Sequence, residues 1–515
     1  MKMITLYADI AGPRQWLMTA RERLARSGCD VTLARAVNGR NHRSSGSLLR
    51  TCERIDGMIN GKRGTGLAAR LSGETAACFA SDAMADGGTA IAVRYQEDGT
   101  QPRRQGMQIL YDGTAGDEAL FARLLEGRAP RIEIVDIDNG DVLAAGVASL
   151  EGARSLMAAA DAVYARVLTL VEAALICDRA PNGAPARTDP VSRAIGPSQA
   201  LRQMRSGLLR KPIRAAYEAA CHFPHWRIGW RFTSGASLWD KASLDGPAWH
   251  ILPDPGDHFY ADPFPIVRDG RRMIFFEDFD HRRGKAAIAA VDVRDDGSSG
   301  PVVQVLEEPW HLSYPFMIED GGELWMIPES SAARTVDLYR ATRFPDRWVK
   351  EATLLSDVEA SDATVVRYRD AFWMFASVRD GAGSHSDSLC IFTATALTGP
   401  WRAHRRNPVL VDARSARPAG NMIFRDGALW RPAQVCDRTY GAGVALCEVT
   451  RLDDDGFEQA VRHVLRPGPM WPGSRLHTLN EAFGIACIDG WAASPRNRHF
   501  ARWLEPWCLR REARR

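Results

Sequence analysis

Two stretches of this 515-residue chain are the same unit written twice. Residues 262–277 read Asp-Pro-Phe-Pro-Ile-Val-Arg-Asp-Gly-Arg-Arg-Met-Ile-Phe-Phe-Glu, and residues 314–329 read Tyr-Pro-Phe-Met-Ile-Glu-Asp-Gly-Gly-Glu-Leu-Trp-Met-Ile-Pro-Glu. Each is an apolar strand, an Asp-Gly turn suited to a tight hairpin, and an aromatic strand that closes on a glutamate. A third copy begins at Asp362, a fourth at Ala419, and a weaker fifth at Leu479, with Ile488-Asp489-Gly490-Trp491 as its turn. Starts near 262, 314, 362, 419 and 479 set a period of about fifty to sixty residues. Further strand-like segments lie between them, at 286–293, 336–341, 389–396 and 444–449. Four short strands per period, repeated five times, predict a five-bladed β-propeller. So long a period fits a β-sandwich less well.

The predicted fold places chemistry. In a propeller the first strand of each blade lines the central channel, so residues at the starts of those strands converge at one mouth. Here they are Asp262, Tyr314, Asp362, Gly420 with Asn421, and Thr478. The second strand of each blade returns to the same mouth and brings Glu277, Glu329 and Gln434. Carboxyl groups buried together are driven to different protonation states, which is how acid and base roles arise. Each candidate also has a plain structural reading. Asp262 at an Asp-Pro strand start can simply cap a turn. Arg417 and Arg431 either bind a ligand or pair with the acids. His311 and His477 either touch a ligand or are satisfied core residues. Most of the tryptophans (310, 325, 373, 401, 430) belong to blade cores, leaving one or two to stack on a ligand ring.

The N-terminal region reads differently. A strand at 4–10, a helix at 14–27 and a strand at 31–36 begin a parallel α/β sheet. Strands at 91–95 and 132–137 and helices at 118–126 and 153–177 continue it. Gly64-Thr65-Gly66-Leu67-Ala68-Ala69 has a superficial dinucleotide-loop pattern, but the polar run 59–63 before it is no strand, and an ordinary loop is expected. Residues 178–197, rich in Pro, Ala, Gly and Arg, read as a linker. Helical spacing returns over 198–221 (Leu201, Met204, Leu208, Leu209, Ile213, Tyr217) as a docking helix with a basic face.

Composition excludes some function classes. With 66 basic against 63 acidic residues the net charge is +3, which gives no electrostatic case for nucleic acid. Ten scattered cysteines without a Cys-x-x-Cys pair argue against a zinc cluster or a dense disulfide framework. No membrane span is expected, and the first ten residues look like a strand rather than a signal peptide. A cytoplasmic protein with reduced thiols, no cofactor and no metal is the expectation.

Several ordered motifs resemble known families. The C-terminal array is similar to five-bladed glycoside hydrolases of families 43, 32 and 117. It is closer still to the propeller domain of glucosamine inositolphosphorylceramide transferases and their bacterial relatives. The likeness rests on Ala261-Asp262-Pro263-Phe264, Phe275-Phe276-Glu277, His311-Leu312-Ser313-Tyr314-Pro315, Ile327-Pro328-Glu329-Ser330, Ser361-Asp362-Ala363-Thr364, Gly399-Pro400-Trp401, Ala416-Arg417-Pro418-Ala419-Gly420 and Arg431-Pro432-Ala433-Gln434. It implies catalytic roles for Asp262 (base or nucleophile), Asp362 (stabiliser) and Glu329 (acid). It also implies substrate contacts from Glu277, His311, Tyr314, Arg417, Asn421, Arg431, Gln434 and His477. The second blade departs from many family 43 enzymes, opening with Ser313-Tyr314 where they carry Asp, and its glutamate sits on blade two. Residues 106–150, with Tyr111-Asp112-Gly113 and Val135-Asp136-Ile137-Asp138-Asn139-Gly140, resemble the formyltransferase family. Active members need Asn, His and Asp together. His42 is the sole histidine before His222 and lies in a Ser/Arg-rich loop, so a formyltransferase-like scaffold without that activity is expected.

The expected architecture is multidomain: a Rossmann-like, formyltransferase-like α/β domain over 1–180, a linker and docking helix over 181–222, and an all-β five-bladed propeller over 223–510. The leading functional expectation is a carbohydrate-active protein that cleaves or transfers a glycosidic bond with acid/base carboxylates, acting on a carbohydrate or glycolipid. A non-catalytic glycan-binding or assembly module is the second, favoured by the absent secretion signal. Formyl or acyl transfer to an amino sugar by the N-terminal domain is the third.

Overall fold

Hairpin chemistry lays down the blades. In a computed structural model, Asp269-Gly270, Gly321-Gly322, Asp426-Gly427 and Phe483-Gly484 each take positive φ at both positions. That conformation matches the twist of the strands it joins. The structure describes residues 2–8, 12–36, 45–60, 66–72, 80–82, 90–95, 104–176, 212–233, 237–468, 471 and 473–496. They form two compact units: Met1–Pro212 with Asp380–Ser384 and Leu410–Asp412, and Ile213–Arg379 with His385–Val409 and Ala413–Arg515.

In the second unit each hairpin opens an antiparallel sheet. Blade one contains His258–Arg268, Arg271–Asp280, Lys285–Asp292 and Val303–Leu306. Blade two contains Ser313–Asp320, Glu323–Ser330, Thr335–Arg343 and Arg347–Ser356. Blade three runs Ala360–Tyr368, Ala371–Val378, Ser388–Ala394 and Arg402–Ala403, and blade four runs Ile423–Arg425, Ala428–Gln434, Val444–Asp453 and Gly456–Leu465. The fifth sheet is composite. Leu479–Ala482 and Ile485–Trp491 from the end of the unit pair with Trp226–Phe232 and His250–Ile251 from its beginning.

The inner strands then bond around a closed cycle. The Tyr314 N–H donates to Asp262 at 3.3 Å, and the Tyr314 hydroxyl lies 2.8 Å from Thr364 Oγ1 and accepts the Gly420 N–H at 2.7 Å. Leu479 N–H donates to the Ala419 carbonyl at 2.8 Å, and Asn480 Nδ2 donates to the Pro263 carbonyl at 2.8 Å. The cycle of blades, closed by a composite sheet, is a five-bladed propeller with no free edge at the join.

One sequence expectation is corrected here. The fifth turn is Phe483-Gly484, and Asp489 and Gly490 lie inside the strand Ile485–Trp491. Pairing with the incoming strand, Asp489 opposite Ile228 and Gly490 opposite Arg227, extends that strand past the Asp-Gly pair.

The described residues of the first unit hold one sheet. Its strands are β1 (Lys2–Ala8), β2 (Asp30–Ala36), β3 (Ala80–Asp82), β4 (Ala90–Tyr95), β5 (Arg104–Tyr111), β6 (Thr114–Ala115), β7 (Arg131–Asp136) and β8 (Val142–Val147). The order is β3-β2-β1-β4-β5-β7-β8, with β6 hairpinned to β5. Only β1 with β2 and β2 with β3 pair in parallel; the other neighbours are antiparallel. The expected parallel, Rossmann-like sheet is therefore replaced by a mixed one. Helix Gln15–Arg26 supplies the crossover that parallel β1 and β2 need, whereas residues 137–141 between β7 and β8 are too few for one.

Buried Arg14 holds the turn before that helix, donating to Asp117, to the Ala68 carbonyl at 2.6 Å and to Glu53 at 2.8 Å. Gly66 sits against Asp161, which accepts the Ala68 N–H at 2.7 Å, and a Cβ on Gly66 would meet that carboxylate at 2.2 Å. This part of the glycine-bearing segment packs on the helix Leu156–Ile176; Gly64 and Thr65 lie outside the described residues, as do His42, the linker at 178–197 and most of the expected docking helix. No helix among the described residues is long and apolar enough to cross a membrane.

Phe483 is an exposed aromatic residue that bears left-handed backbone without a side chain suited to it, with φ of 54° and 56% exposure. Asparagine accepts that conformation readily, so Phe483→Asn is expected to raise stability by about 1 kcal/mol. Urea unfolding measures it; a lower midpoint would refute the reading.

Candidate functional site

The inner strands of blades one to three share an irregularity at their entrance. Their ladders slip between Ala261 and Phe264, between Ser313 and Phe316, and between Ser361 and Thr364. The residue inside each bulge is left-handed: Asp262 at φ 52°, Tyr314 at 44° and Asp362 at 56°. Such a conformation is strained for a side-chain-bearing residue, and bulges serve to re-aim side chains beside functional sites. Blade four puts Gly420 at the corresponding place, where a Cβ would lie 2.1 Å from the Leu479 carbonyl oxygen.

Asp262 is held by the composite blade. Its Oδ1 accepts the Thr478 hydroxyl at 2.7 Å and lies 3.1 Å from His477 Nε2, while Oδ2 accepts the Tyr314 N–H. Asp489 organises this end. It accepts the backbone N–H groups of Asp262 at 2.9 Å, His477 at 3.2 Å and Thr478 at 2.9 Å, and lies 2.9 Å from His477 Nδ1. Trp226 and Tyr440 pack on the imidazole, with centroids 4.2 and 5.0 Å away.

Burial alone would strip the proton from His477, but the carboxylates of Asp489 and Asp262 override it and raise the group to about 10. Burial also opposes ionisation of Asp262. The His477 imidazolium, the Thr478 hydroxyl and Arg417 outweigh it and hold that carboxyl below its ordinary range. Asp262, His477 and Asp489 each place a ligand atom within 4.8 Å of the others, an arrangement able to hold a cation. With His477 protonated at neutral pH, a metal would have to displace its protons.

Asp362 is held by blade four. Arg417 reaches it with both arms of its fork, Nε to Oδ2 at 2.6 Å and Nη2 to Oδ1 at 3.2 Å, and Gln434 Nε2 donates to Oδ2 at 2.8 Å. Arg417 Nη2 also lies 3.4 Å from Glu329 Oε2, and Glu329 Oε1 accepts the Ser331 hydroxyl at 2.8 Å. Burial pushes the Asp362 carboxyl up against the pull of Arg417, and Glu329 and Asp262 add to the push.

Glu277 pairs with Ala261 across blade one and is 7% exposed. Among the described residues its carboxyl has one polar contact, His311 Nε2 at 3.4 Å. Burial, reinforced by the charge of Asp262 and then of Glu329 and Asp489, drives it well above the usual carboxyl range. His311 Nδ1 accepts the Ala286 N–H at 3.3 Å, and burial lowers that imidazole.

The structure thus links Asp262, Tyr314, Glu329, Asp362, Arg417, Gln434 and His477 in one network, with Glu277 beside it against His311. Two expected residues stand apart. Arg431 is fully buried and donates to the Ser415 carbonyl at 2.8 Å, the Ala416 carbonyl at 2.7 Å and Gln459 at 2.7 Å. It braces the segment leading into blade four, with its guanidinium taken up by those carbonyls and Gln459 and lying 5.8 Å from the centroid of the Phe375 ring of blade three. Asn421 bonds through its backbone, donating to Asn480 Oδ1 at 2.7 Å.

Three contributors escaped sequence reasoning: Asp489, Tyr440 and Trp226. Asp489 carried a signal, since Ile485-Ala486-Cys487-Ile488 before it is an apolar run of buried-strand character rather than the approach to a turn.

Residues 254–486 match the family described as "Glucosamine inositolphosphorylceramide transferase 1, N-terminal". Plant relatives bear the name glucosamine inositolphosphorylceramide transferase 1. The protein of Oryza sativa subsp. japonica is 32% identical over 246 residues, covering 46% of this chain and 32% of its own. That of Arabidopsis thaliana is 32% identical over 247 residues, covering 45% and 32%. The chain therefore spans about a third of the length of these relatives. Solved structures with partial likeness include Zg3597, a family 117 glycoside hydrolase from Zobellia galactanivorans, at 12% identity and TM-score 0.35 over 52% of this chain and 90% of that one. Another is 1,3Gal43A, an exo-β-1,3-galactanase from Clostridium thermocellum, at 10% identity and TM-score 0.34 over 47% and 60%. The family match takes in Asp262, Glu277, Glu329, Asp362, Arg417, Gln434 and His477, and leaves the N-terminal unit outside it.

The ion-paired imidazolium yields a pH prediction. A folded-state value above the unfolded one makes His477's contribution full below about pH 6.5 and lost as pH rises towards 10. The melting-temperature gap between wild type and His477→Asn is expected to be widest at pH 6 and to close near pH 10. A gap independent of pH would contradict the charged pair.

Proposed function

We propose that the propeller mouth is a carbohydrate site that performs acid/base chemistry at a glycosidic bond. The observation that carries the reading is the divergence of two neighbouring carboxyls: Asp262 is held in the ionised range while Glu277, beside it across blade one, is driven well above the ordinary range. Cleavage or transfer at an acetal needs this pair of states, a proton donor for the leaving oxygen and an anion for the electron-poor anomeric carbon or its attacker. Asp262 is the anionic partner. Asp362 acts through Arg417, fixing a cation beside Glu329. The family matched by residues 254–486 carries a sugar and a glycolipid in its name, which supports a sugar or glycolipid as ligand.

A second reading, a glycan-binding site without turnover, is favoured by one feature. Thr478, His477 and Tyr314 occupy Asp262, and Arg417 with Gln434 occupies Asp362, as suits a rigid cradle.

The test is product release from a panel of oligosaccharides, aryl glycosides and glycolipids. Wild type is expected to release sugar, and Asp262→Asn and Glu277→Gln each to lower the rate at least about a hundredfold, the usual scale of acid/base catalysis. Saturable binding without release by wild type would discard the catalytic reading in favour of the binding one.

A further inference from the structure

Blades one and two present glutamates at equivalent places. Glu277 pairs with Ala261, and Glu329 with Ser313, each one residue before a bulge. Their surroundings differ. Glu329 touches the Arg417 guanidinium and accepts the Ser331 hydroxyl. Asp262, Asp362 and Asp489 likewise have their oxygens against cations and N–H or O–H donors. Among the described residues Glu277 touches no cation, so a proton on it breaks no ion pair there.

His311 determines where that proton sits. A ring nitrogen that accepts a hydrogen bond carries no proton, so acceptance of the Ala286 N–H by Nδ1 leaves the hydrogen of the neutral imidazole on Nε2. Nε2 faces Glu277 Oε1 at 3.4 Å. Oε1 is then the carbonyl-like oxygen of the acid, and the proton resides on Oε2.

Resting on the glycosidic reading above, we propose that Glu277, and not Glu329, is the proton donor, with His311 as its positioning residue. In the step, the Oε2 proton moves to the glycosidic oxygen as the bond from that oxygen to the anomeric carbon breaks and its electron pair leaves with the oxygen. An attacking hydroxyl, from water or a second sugar, forms the new bond and gives its proton to Asp262. Glu277 ends as a carboxylate facing the Nε2–H of His311. That imidazole keeps one tautomer throughout, because the Ala286 N–H holds Nδ1.

Leaving-group dependence distinguishes the two glutamates. Glu277→Gln, Glu329→Gln and His311→Asn are compared with wild type on two glycosides of the same sugar. One carries a dinitrophenolate, which departs without protonation, and the other a simple alkoxide, which does not. Glu277→Gln is expected to lose about a thousandfold on the alkyl glycoside and less than tenfold on the dinitrophenyl one, the scale of general acid catalysis. His311→Asn should show the same selectivity, weaker, and Glu329→Gln should slow both substrates alike. Comparing two substrates on one variant makes the ratio independent of how much protein folds. Selective loss in Glu329→Gln, or equal loss on both substrates in Glu277→Gln, overturns the assignment while leaving the glycosidic reading intact. Failure of wild type to turn over either substrate overturns that reading and the assignment together.

Discussion

A single buried chain of charge ties the propeller and its site together. Asp489 accepts three backbone N–H groups and faces His477, which faces Asp262, whose second oxygen accepts the backbone of blade two. Asp489 and His477 belong to the composite blade and Asp262 to blade one, so the links that close the ring also orient the central carboxylate. Asp262, His477 and Asp489 are 4%, 2% and 0% exposed. Charges this deep persist only when paired and hydrogen-bonded, and removing any one would strand the others. The site is thus built at the seam where the two ends of the repeat array meet.

Around that seam, strain is spent on aim. Three successive blades carry a left-handed, side-chain-bearing residue inside an entrance bulge, where an ordinary strand would need none. The three side chains serve different ends. Asp262 and Asp362 supply carboxyls, while the Tyr314 hydroxyl links Gly420 of blade four to Thr364 of blade three. Blade four's glycine at the same place lets the Leu479 backbone approach closely, which secures the fourth blade to the fifth. The repeat therefore provides one scaffold position per blade, and local substitution turns it into acid, brace or contact.

Much of this was legible in the sequence. Strand, tight turn and strand, repeated at a long period, announced the blades; the starts of the first strands gathered Asp262, Asp362 and Thr478, and the returning second strands Glu277 and Glu329, from more than two hundred residues of chain. What escaped depends on pairing that no local pattern records. Asp489-Gly490 has turn composition but is extended by a partner strand, Trp226–Phe232, lying far upstream. Arg431 has the composition of a ligand contact, yet its register turns it onto the carbonyls of Ser415 and Ala416. The mixed sheet of the first unit was missed because its first strand–helix–strand is parallel and the antiparallel return follows only later. The different surroundings of the two glutamates were unreadable too, since Arg417 and Ser331 meet Glu329 while His311 meets Glu277.

The central claim is that adjacent carboxyls in this mouth hold opposite protonation states. The most direct measurement is a carbon-13 NMR titration of protein labelled at aspartate and glutamate carboxyl carbons, with Asp262→Asn and Glu277→Gln used to assign the two resonances. The expected result is an Asp262 signal that titrates below the ordinary carboxyl range and a Glu277 signal that titrates well above it, each moving when the other residue is replaced. Two carboxyls titrating together near pH 4, indifferent to one another, would contradict it.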